Sequence, residues 1–348
     1  MNFEQLNPSS CLTYLLTGSD KNAVLIDPVI NHVGDYLRLL KERNLKLTHV
    51  LDTHTHADHI SAGPSMVDAT DCEYVMQHQA PAKCVTIRVK DGDKITLAGQ
   101  NATILSTPGH TRDSISILFD DKLLTGDFLF LEDAGAGRDD LPGGDATSHF
   151  NSLQKLKPLS GDIMVYPAHE YRQRQPSNLA NQRSKNPHLQ FAELKKFVAY
   201  IDDLRLGPAD WMKDVLKSNY RCSTDPNSAW IPTDVPACEI KGTMNPNAAE
   251  IDVTYVDVDY VKALEDTMII DVREPEELIG QLGLISTAIN IPVSQIANRI
   301  SEIGGDMERE IITVCRSGAR ATTAAQILIT GGYENVKILK GGMIAYKL

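Results

Sequence analysis

The chain has 348 residues, 42% hydrophobic and 23% charged, a globular composition whose length suits two domains. Its 34 basic against 46 acidic residues give a net charge of −12, a field that repels nucleic-acid phosphate and anionic membrane and leaves any anionic substrate to a local basic pocket. No apolar run approaches the roughly 18 residues of a membrane helix, and the start Met1-Asn2-Phe3-Glu4-Gln5 lacks the basic and apolar stretches of a signal peptide, so the sequence reads as cytoplasmic with neither nucleic-acid nor membrane partners.

From the N-terminus, β-branched and apolar residues between breakers predict strands at Cys11–Thr17 and Ala23–Asp27, joined by the turn Gly18-Ser19-Asp20. A helix follows with Val33, Leu37 and Leu40 on one face, then a buried strand over Leu45–Asp52. Helices alternating with strands from the start define an α/β class. Further strands are predicted at Ala102–Ser106, Ser114–Phe119, Leu123–Thr125 and Asp162–Tyr166, with helices between about Asn178 and Asn219. Residues 223–250 carry Pro226, Pro232, Pro236 and Pro246 without either periodicity and read as a linker, against which Trp230 and Ile231 stand out as apolar. The first domain is thus residues 1–222. The second, residues 251–348, has predicted strands at Met268–Val272, Ala288–Ile291, Ile311–Cys315 and Val336–Leu339, and helices at Val258–Leu264, Ser294–Ile300 and Ala319–Thr330.

The cluster His54-Thr55-His56-Ala57-Asp58-His59 leaves the strand that ends at Asp52, where a loop at the C-terminal edge of a sheet aims side chains into a cleft. Imidazoles and carboxylates are the donors that zinc and ferrous iron accept, and a tight turn converges several of them on one point. His110 in Pro108-Gly109-His110-Thr111, Asp127 in Thr125-Gly126-Asp127 and His169 in Pro167-Ala168-His169 follow at the ends of later strands. Alone, each reads as readily as a cap or a hydrogen-bonded core residue. With the first cluster they read together as a metal site.

These motifs, in this order, resemble the metallo-β-lactamase superfamily, and within it the persulfide dioxygenases. Further matches are Gly135-Ala136-Gly137-Arg138-Asp139-Asp140, Pro167-Ala168-His169-Glu170-Tyr171, Asn186-Pro187-His188-Leu189 and Asn219-Tyr220-Arg221-Cys222. The resemblance implies an αββα sandwich and one ferrous iron per chain held by His54, His110 and Asp127, with His56, Asp58, His59 and His169 around those ligands. It also implies substrate contacts at Arg138 and Tyr171. Two histidines and a carboxylate leave adjacent coordination positions open for a substrate and dioxygen. The implied reaction takes a thiol persulfide, glutathione persulfide or another, with dioxygen and water to sulfite and thiol.

The six cysteines, Cys11, Cys72, Cys84, Cys222, Cys238 and Cys315, form neither a CxxC pair nor a tight framework, which suits a reducing compartment. Cys315-Arg316-Ser317-Gly318-Ala319-Arg320 runs from an apolar strand into a helix, so backbone N–H groups and two arginines are expected to favour a thiolate at Cys315. The loop resembles that of rhodaneses, as do Asp271-Val272-Arg273-Glu274-Pro275, Ala288-Ile289-Asn290-Ile291-Pro292 and Leu339-Lys340-Gly341-Gly342-Met343. This resemblance implies a small α/β domain with a parallel sheet. Cys315 would be its catalytic residue and Arg316, Ser317, Gly318, Ala319 and Arg320 its substrate-binding loop, moving sulfur between thiosulfate and a thiol such as glutathione.

Two rivals remain at this stage. One is a di-zinc thioester hydrolase resembling glyoxalase II with an accessory rhodanese domain, since all seven superfamily ligand positions are occupied. The other is a sulfur-binding sensor or carrier. Assembly into a homo-oligomer is left open by the sequence.

Overall fold

The computed structural model describes residues 2–7, 11–170, 174–204, 210–229, 231, 253–264, 267–273, 275–280, 282–316 and 318–347. The chain divides into two compact units, residues 1–205 with 212–231 and residues 206–211 with 232–348. Most of the expected linker, including Trp230, lies outside the described residues.

The first unit contains two six-stranded sheets. One holds Asn2–Gln5 (β1), Tyr14–Thr17 (β2), Asn22–Ile26 (β3), Lys46–Leu51 (β4), Glu73–Gln77 (β5) and Ile87–Val89 (β6), hydrogen-bonded in chain order. The other holds Lys94–Leu97 (β7), Gln100–Ser106 (β8), Ile115–Leu118 (β9), Lys122–Gly126 (β10), Met164–Pro167 (β11) and Ser177–Asn178 (β12). Val24, Ile26, Leu51 and Val75 of the first sheet meet Leu97, Ile104, Ile117 and Leu124 of the second in one buried cluster, so the two sheets pack face to face. The outer face of the first sheet buries Leu15, Leu25 and Val50 with Tyr36 and Leu40 of Val33–Glu42 (α1) and Met66 of Gly63–Thr70 (α2). The outer face of the second buries Leu123 and Val165 against Phe150 and Leu153 of Ala146–Gln154 (α3). The same cluster takes in Leu179 of Leu179–Lys185 (α4) and Phe197 and Ile201 of Leu194–Leu204 (α5). The last helix of this unit is Asp210–Tyr220 (α6). The result is the αββα sandwich that the family resemblance implies.

Several elements differ from the sequence reading. The stretch from Cys11 is a strand only from Tyr14, and Cys11 instead makes an isolated antiparallel bridge with His169. Strands β1, β5, β6, β7 and β12 and helices α2 and α3 are not among the elements read from the sequence. Cys84 and Cys222, 138 residues apart, are joined by a disulfide. That pairing needs the tertiary fold and has no spacing signature.

The second unit contains a five-stranded sheet, Thr254–Val256 (β13), Met268–Asp271 (β14), Ile289–Asn290 (β15), Ile311–Val314 (β16) and Val336–Leu339 (β17), in the order β13-β17-β16-β14-β15. Every pairing is parallel. Its described helices are Val258–Lys262 (α7), Pro275–Leu278 (α8), Ile296–Arg299 (α9), Ala319–Thr330 (α10) and Gly342–Lys347 (α11). The predicted helix at Ser294–Ile300 is broken into short turns around α9. Ile270, Ile311 and Ile338 pack against Ala321, Ala324 and Leu328 on one face, and Ile269, Ile312 and Leu339 against Val261 and Met343 on the other. Burial on both faces explains why the inner strands β14, β16 and β17 are near-continuous apolar runs.

Candidate metal centre and sulfur-transfer site

His54 follows β4, His110 lies in the β8–β9 connection, Asp127 follows β10 and His169 follows β11. Four loops therefore converge at one edge of the sandwich. Gly126 has φ +55, and a Cβ there would lie 2.5 Å from Thr53 Oγ1, so only glycine lets the β10 end pass the β4 end this closely.

The fold brings His54, His110 and Asp127 together as a buried group, with donor atoms within 4.8 Å of one another. Asp127 Oδ2 is 3.8 Å from His54 Nε2 and 3.7 Å from His110 Nε2. The outer atoms of each ring are held. Thr53 Oγ1 donates to Asp27 and lies 3.0 Å from His54 Nδ1, which donates to it, and His110 Nδ1 donates to the backbone carbonyl of Arg138. Both rings therefore present a bare Nε2 toward Asp127. His54 Nε2 is fully buried with no hydrogen-bond partner among the described residues, an arrangement that costs free energy unless a cation occupies the space. Burial, together with the charge of His56, holds His54 well below the ordinary histidine range, so the ring stays neutral as a ligand must. The donor set thus fits a divalent metal ion.

The other four residues of the motif belong to two further groups of converging donor atoms, one made of Asp27, Asp52 and His56 and the other of Cys11, Asp58, His59 and His169. His56 Nε2 is 3.3 Å from Asp27 Oδ1 and 3.7 Å from Asp52 Oδ1, and these carboxylates overcome burial and raise His56 well above its usual range. His169 spans two carboxylates, with Nδ1 2.6 Å from Asp127 Oδ1 and Nε2 2.7 Å from Asp58 Oδ2. Burial opposes charge on both acids. The cationic partners His59 and His169 nonetheless hold Asp58 well below the carboxylate range, and His169 leads the groups that do the same for Asp127. His59 lies beside Asp58 and is raised to about 9, because that carboxylate outweighs burial and the charge of His56. Cys11 joins Asp58, His59 and His169 in a second compact group. Burial raises the Cys11 thiol, yet His169 brings it below its ordinary value.

Arg138 is buried in a two-point ion pair with Asp140, Nε to Oδ1 at 2.5 Å and Nη2 to Oδ2 at 2.9 Å. Its carbonyl accepts from His110 of the metal group. Tyr171 lies outside the described residues. Asp27 and Asn219 were missed as site residues. Asp27 ends a predicted strand ahead of the histidine motif, a signal for a carboxylate at the same sheet edge. Asn219 stood in a matched motif but carried no assigned role.

In the second unit, Cys315 is buried at the end of β16 and its Sγ accepts from Gly318 N at 3.0 Å. Gly342, at φ +58, approaches so closely that a Cβ would lie 2.4 Å from the Cys315 carbonyl. That contact lets Met343 N and Ile344 N donate to the carbonyls of Cys315 and Arg316, at 2.8 and 3.0 Å. The Gly-Gly-Met ending is thus the buttress of the cysteine loop. Arg320 makes a two-point pair with Glu277, at 2.5 and 2.8 Å, and its charge is shared with that carboxylate as well as the loop. Arg316 is exposed. Ser317 and the Ala319 side chain lie outside the described residues. Arg273 is fully buried, tied to Asp271 and to the Gly283 carbonyl, which accounts for the Asp-Val-Arg motif as a structural one.

Comparison with known proteins fits this division. Residues 6–84 match the metallo-beta-lactamase superfamily and residues 257–348 the rhodanese-like domain. The Homo sapiens protein "Persulfide dioxygenase ETHE1, mitochondrial" is 31% identical over 232 residues, 65% of this chain and 90% of that protein. The chain belongs to the persulfide dioxygenase family. The crystal structure of ETHE1 from Myxococcus xanthus is similar with a TM-score of 0.60 at 35% identity, covering 64% of this chain and 99% of that one. A metallo-beta-lactamase from Staphylococcus aureus has the same fold over 98% of both chains, with a TM-score of 0.62 at 21% identity. The hydroxyacylglutathione hydrolase of Aliivibrio salmonicida is 38% identical over 168 residues, but the chain spans only 63% of that protein. The persulfide dioxygenase unit is therefore followed here by a rhodanese-like domain. Among the described residues, no helix is long and apolar enough to cross a membrane.

Proposed function

We propose that the first unit oxidises the outer sulfur of a low-molecular-weight thiol persulfide, glutathione persulfide in our reading, with dioxygen and water to sulfite and thiol. We assign it one ferrous iron held by His54, His110 and Asp127. The observation that carries this reading is the buried group of His54, His110 and Asp127, in which both histidine Nε2 atoms face Asp127 Oδ2. Asp27, Asp52 and His56, and Cys11, Asp58, His59 and His169, form two further groups with converging donor atoms. The choice of a one-metal, two-histidine, one-carboxylate centre over the di-zinc hydrolase is supported by the likeness to the persulfide dioxygenase over 90% of that protein, against 63% for the hydrolase. When bound, the iron supplies redox chemistry and two or more open coordination positions.

The chain's own residues then do the rest. Thr53 and the Arg138 carbonyl fix the two ring tautomers, and His169 holds one Asp127 oxygen, which leaves Oδ2 toward the His54 and His110 nitrogens that would hold the metal. Arg138, fixed by Asp140, keeps its loop in place and, with Tyr171, is assigned to the wall against the thiol. In the second unit, we assign Cys315 as the nucleophile that attacks the outer sulfur of thiosulfate. The sulfur–sulfur bond breaks, sulfite leaves, and the Cys315 persulfide passes its outer sulfur to a thiol. The Gly318 amide and the loop cation Arg316 favour the anionic sulfur. Thiol persulfide is the product of this step and the substrate of the dioxygenase, so the two activities share one intermediate. We place the enzyme in the cytoplasm.

The test is a pair of assays on one preparation, persulfide-dependent oxygen uptake and cleavage of a glutathione thioester. Oxygen uptake without thioester cleavage supports the proposal, and the reverse supports the hydrolase.

A further inference from the structure

Asn219 sits at the end of α6, 163 residues from His56 in sequence, yet it is hydrogen-bonded twice to the histidine motif and once to Ser61 just after it. Its Nδ2 donates to the carbonyls of His56 at 2.8 Å and His59 at 2.9 Å, and its Oδ1 accepts from Ser61 N at 3.0 Å. One side-chain amide thus closes the turn that carries Asp58. Asp58 in turn holds His169, and His169 holds Asp127.

The end of α6 is itself pinned. Cys222 follows Asn219 by three residues, has φ +58, and its amide donates to the Asn219 carbonyl at 3.1 Å. A left-handed residue after a helix is usually glycine. Here it is a cysteine, whose sulfur is joined to Cys84 in the loop between β5 and β6, with Cα atoms 6.1 Å apart and Cys84 N donating to the Cys222 sulfur at 3.2 Å. Both cysteines pack against the buried cluster of the first sheet and its helices. The cross-link therefore fixes where the last turn of α6 stands over that sheet, and with it the position of Asn219.

We propose that Asn219 is a positioning residue of the metal centre and that the Cys84–Cys222 disulfide is a thiol-sensitive tether holding it in place, so that reduction loosens the metal-bearing turn. The inference rests on the metal site assigned above. In a reducing compartment, disulfides that persist are usually redox-responsive. The reductant is a low-molecular-weight thiol, the class that the dioxygenase step releases. A thiolate attacks one sulfur, the Cys84–Cys222 bond breaks and a mixed disulfide forms. A second thiolate attacks that mixed disulfide and leaves as the thiol's own disulfide. Two protons end on the cysteines, and the two electrons come from the two thiols.

The test uses the metal-free full chain and two readouts that need neither persulfide nor oxygen. These are hydrogen exchange of the amides between His56 and Ala62, and affinity for cobalt(II) followed by its visible absorption. Thiol titration first counts two additional reactive sulfurs on reduction. Reduced protein, Cys84→Ser and Asn219→Ala should each exchange faster over this turn and bind cobalt about 10- to 100-fold more weakly, the usual loss when a ligand's outer support is removed. Cys222→Gly, which suits the left-handed backbone while removing the sulfur, should behave as Cys84→Ser does. The double variant Cys84→Ser, Asn219→Ala should be no weaker than Asn219→Ala alone, because both act through one contact set. Unchanged exchange and cobalt affinity in Cys84→Ser and Cys222→Gly would overturn the tether, and the same result in Asn219→Ala would overturn the positioning role. Failure of the persulfide assay, with these shifts present, would instead count against the function and leave the tether standing.

Discussion

His169 Nδ1 lies 2.6 Å from Asp127 Oδ1, and through its other nitrogen the same ring reaches Asp58. With a carboxylate at each ring nitrogen, His169 fixes the orientation of Asp127. Replacing His169 with alanine leaves two buried carboxylates facing one another. Ferrous-ion affinity should fall about 10- to 100-fold while the fold persists, measured by anaerobic titration. Wild-type affinity in this variant would show that Asp127 needs no support.

Asp127 is the anionic member of the assigned triad. Asp127→Ala should abolish stable iron binding and reduce dioxygenation to background, with sulfur transfer from thiosulfate to thiol retained. Full iron content and full oxygen uptake would show that the ligand set is wrong.

Cys315→Ser keeps the shape of the loop but puts a hydroxyl where a transferable sulfur must sit. Sulfur transfer should vanish. Oxygen uptake should stay near wild type when thiol persulfide is supplied directly and should fail when it is started from thiosulfate plus thiol. Equal loss in both oxygen assays, at unchanged iron content, would place Cys315 in the dioxygenase as well.

Stability of the metal-free protein should peak near pH 6.5. Burial lowers His149 to about 4, and burial followed by the charge of His149 lowers His188 to about 3. Both bind fewer protons folded than unfolded below the ordinary histidine value, so the stability they allow is lost as pH falls from about 6.5 toward 4, on the order of several kcal/mol in all. His59, raised to about 9 with Asp58 beside it, has the opposite sign. Its contribution is complete below about 6.5 and is lost as pH rises through 9. Urea unfolding at pH 4.5, 6.5 and 9 checks both arms, and a stability that climbs steadily from 6.5 to 9 would contradict the second.

A cluster of metal-capable side chains was legible because His54, His110, Asp127 and His169 end strands in short motifs, whereas the choice of His54, His110 and Asp127 as ligands came from the family resemblance. What the sequence could not carry was direction. Whether His56 faces a metal or Asp27 depends on a carboxylate 29 positions away, and Cys84 meets Cys222 across a separation of 138 residues. Helix α2 was lost for a local reason. Gly63-Pro64 reads as a breaker, yet proline is well suited to the first turn of a helix and here begins one. Strand β5 is buried along Tyr74–Gln77 and shows no alternation to count. In the second unit β14, β16 and β17 were legible because burial on both faces makes them continuous apolar runs, whereas the exposed edge strand β13 shows no such run and was not read.

The central claim is a one-iron persulfide dioxygenase, and oxygen consumption by anaerobically purified, metal-quantified protein on glutathione persulfide tests it most directly. The account predicts close to one iron per chain and oxygen uptake that depends on the persulfide and scales with iron content. Two zinc ions per chain, with no persulfide-dependent uptake after iron is supplied, would contradict it.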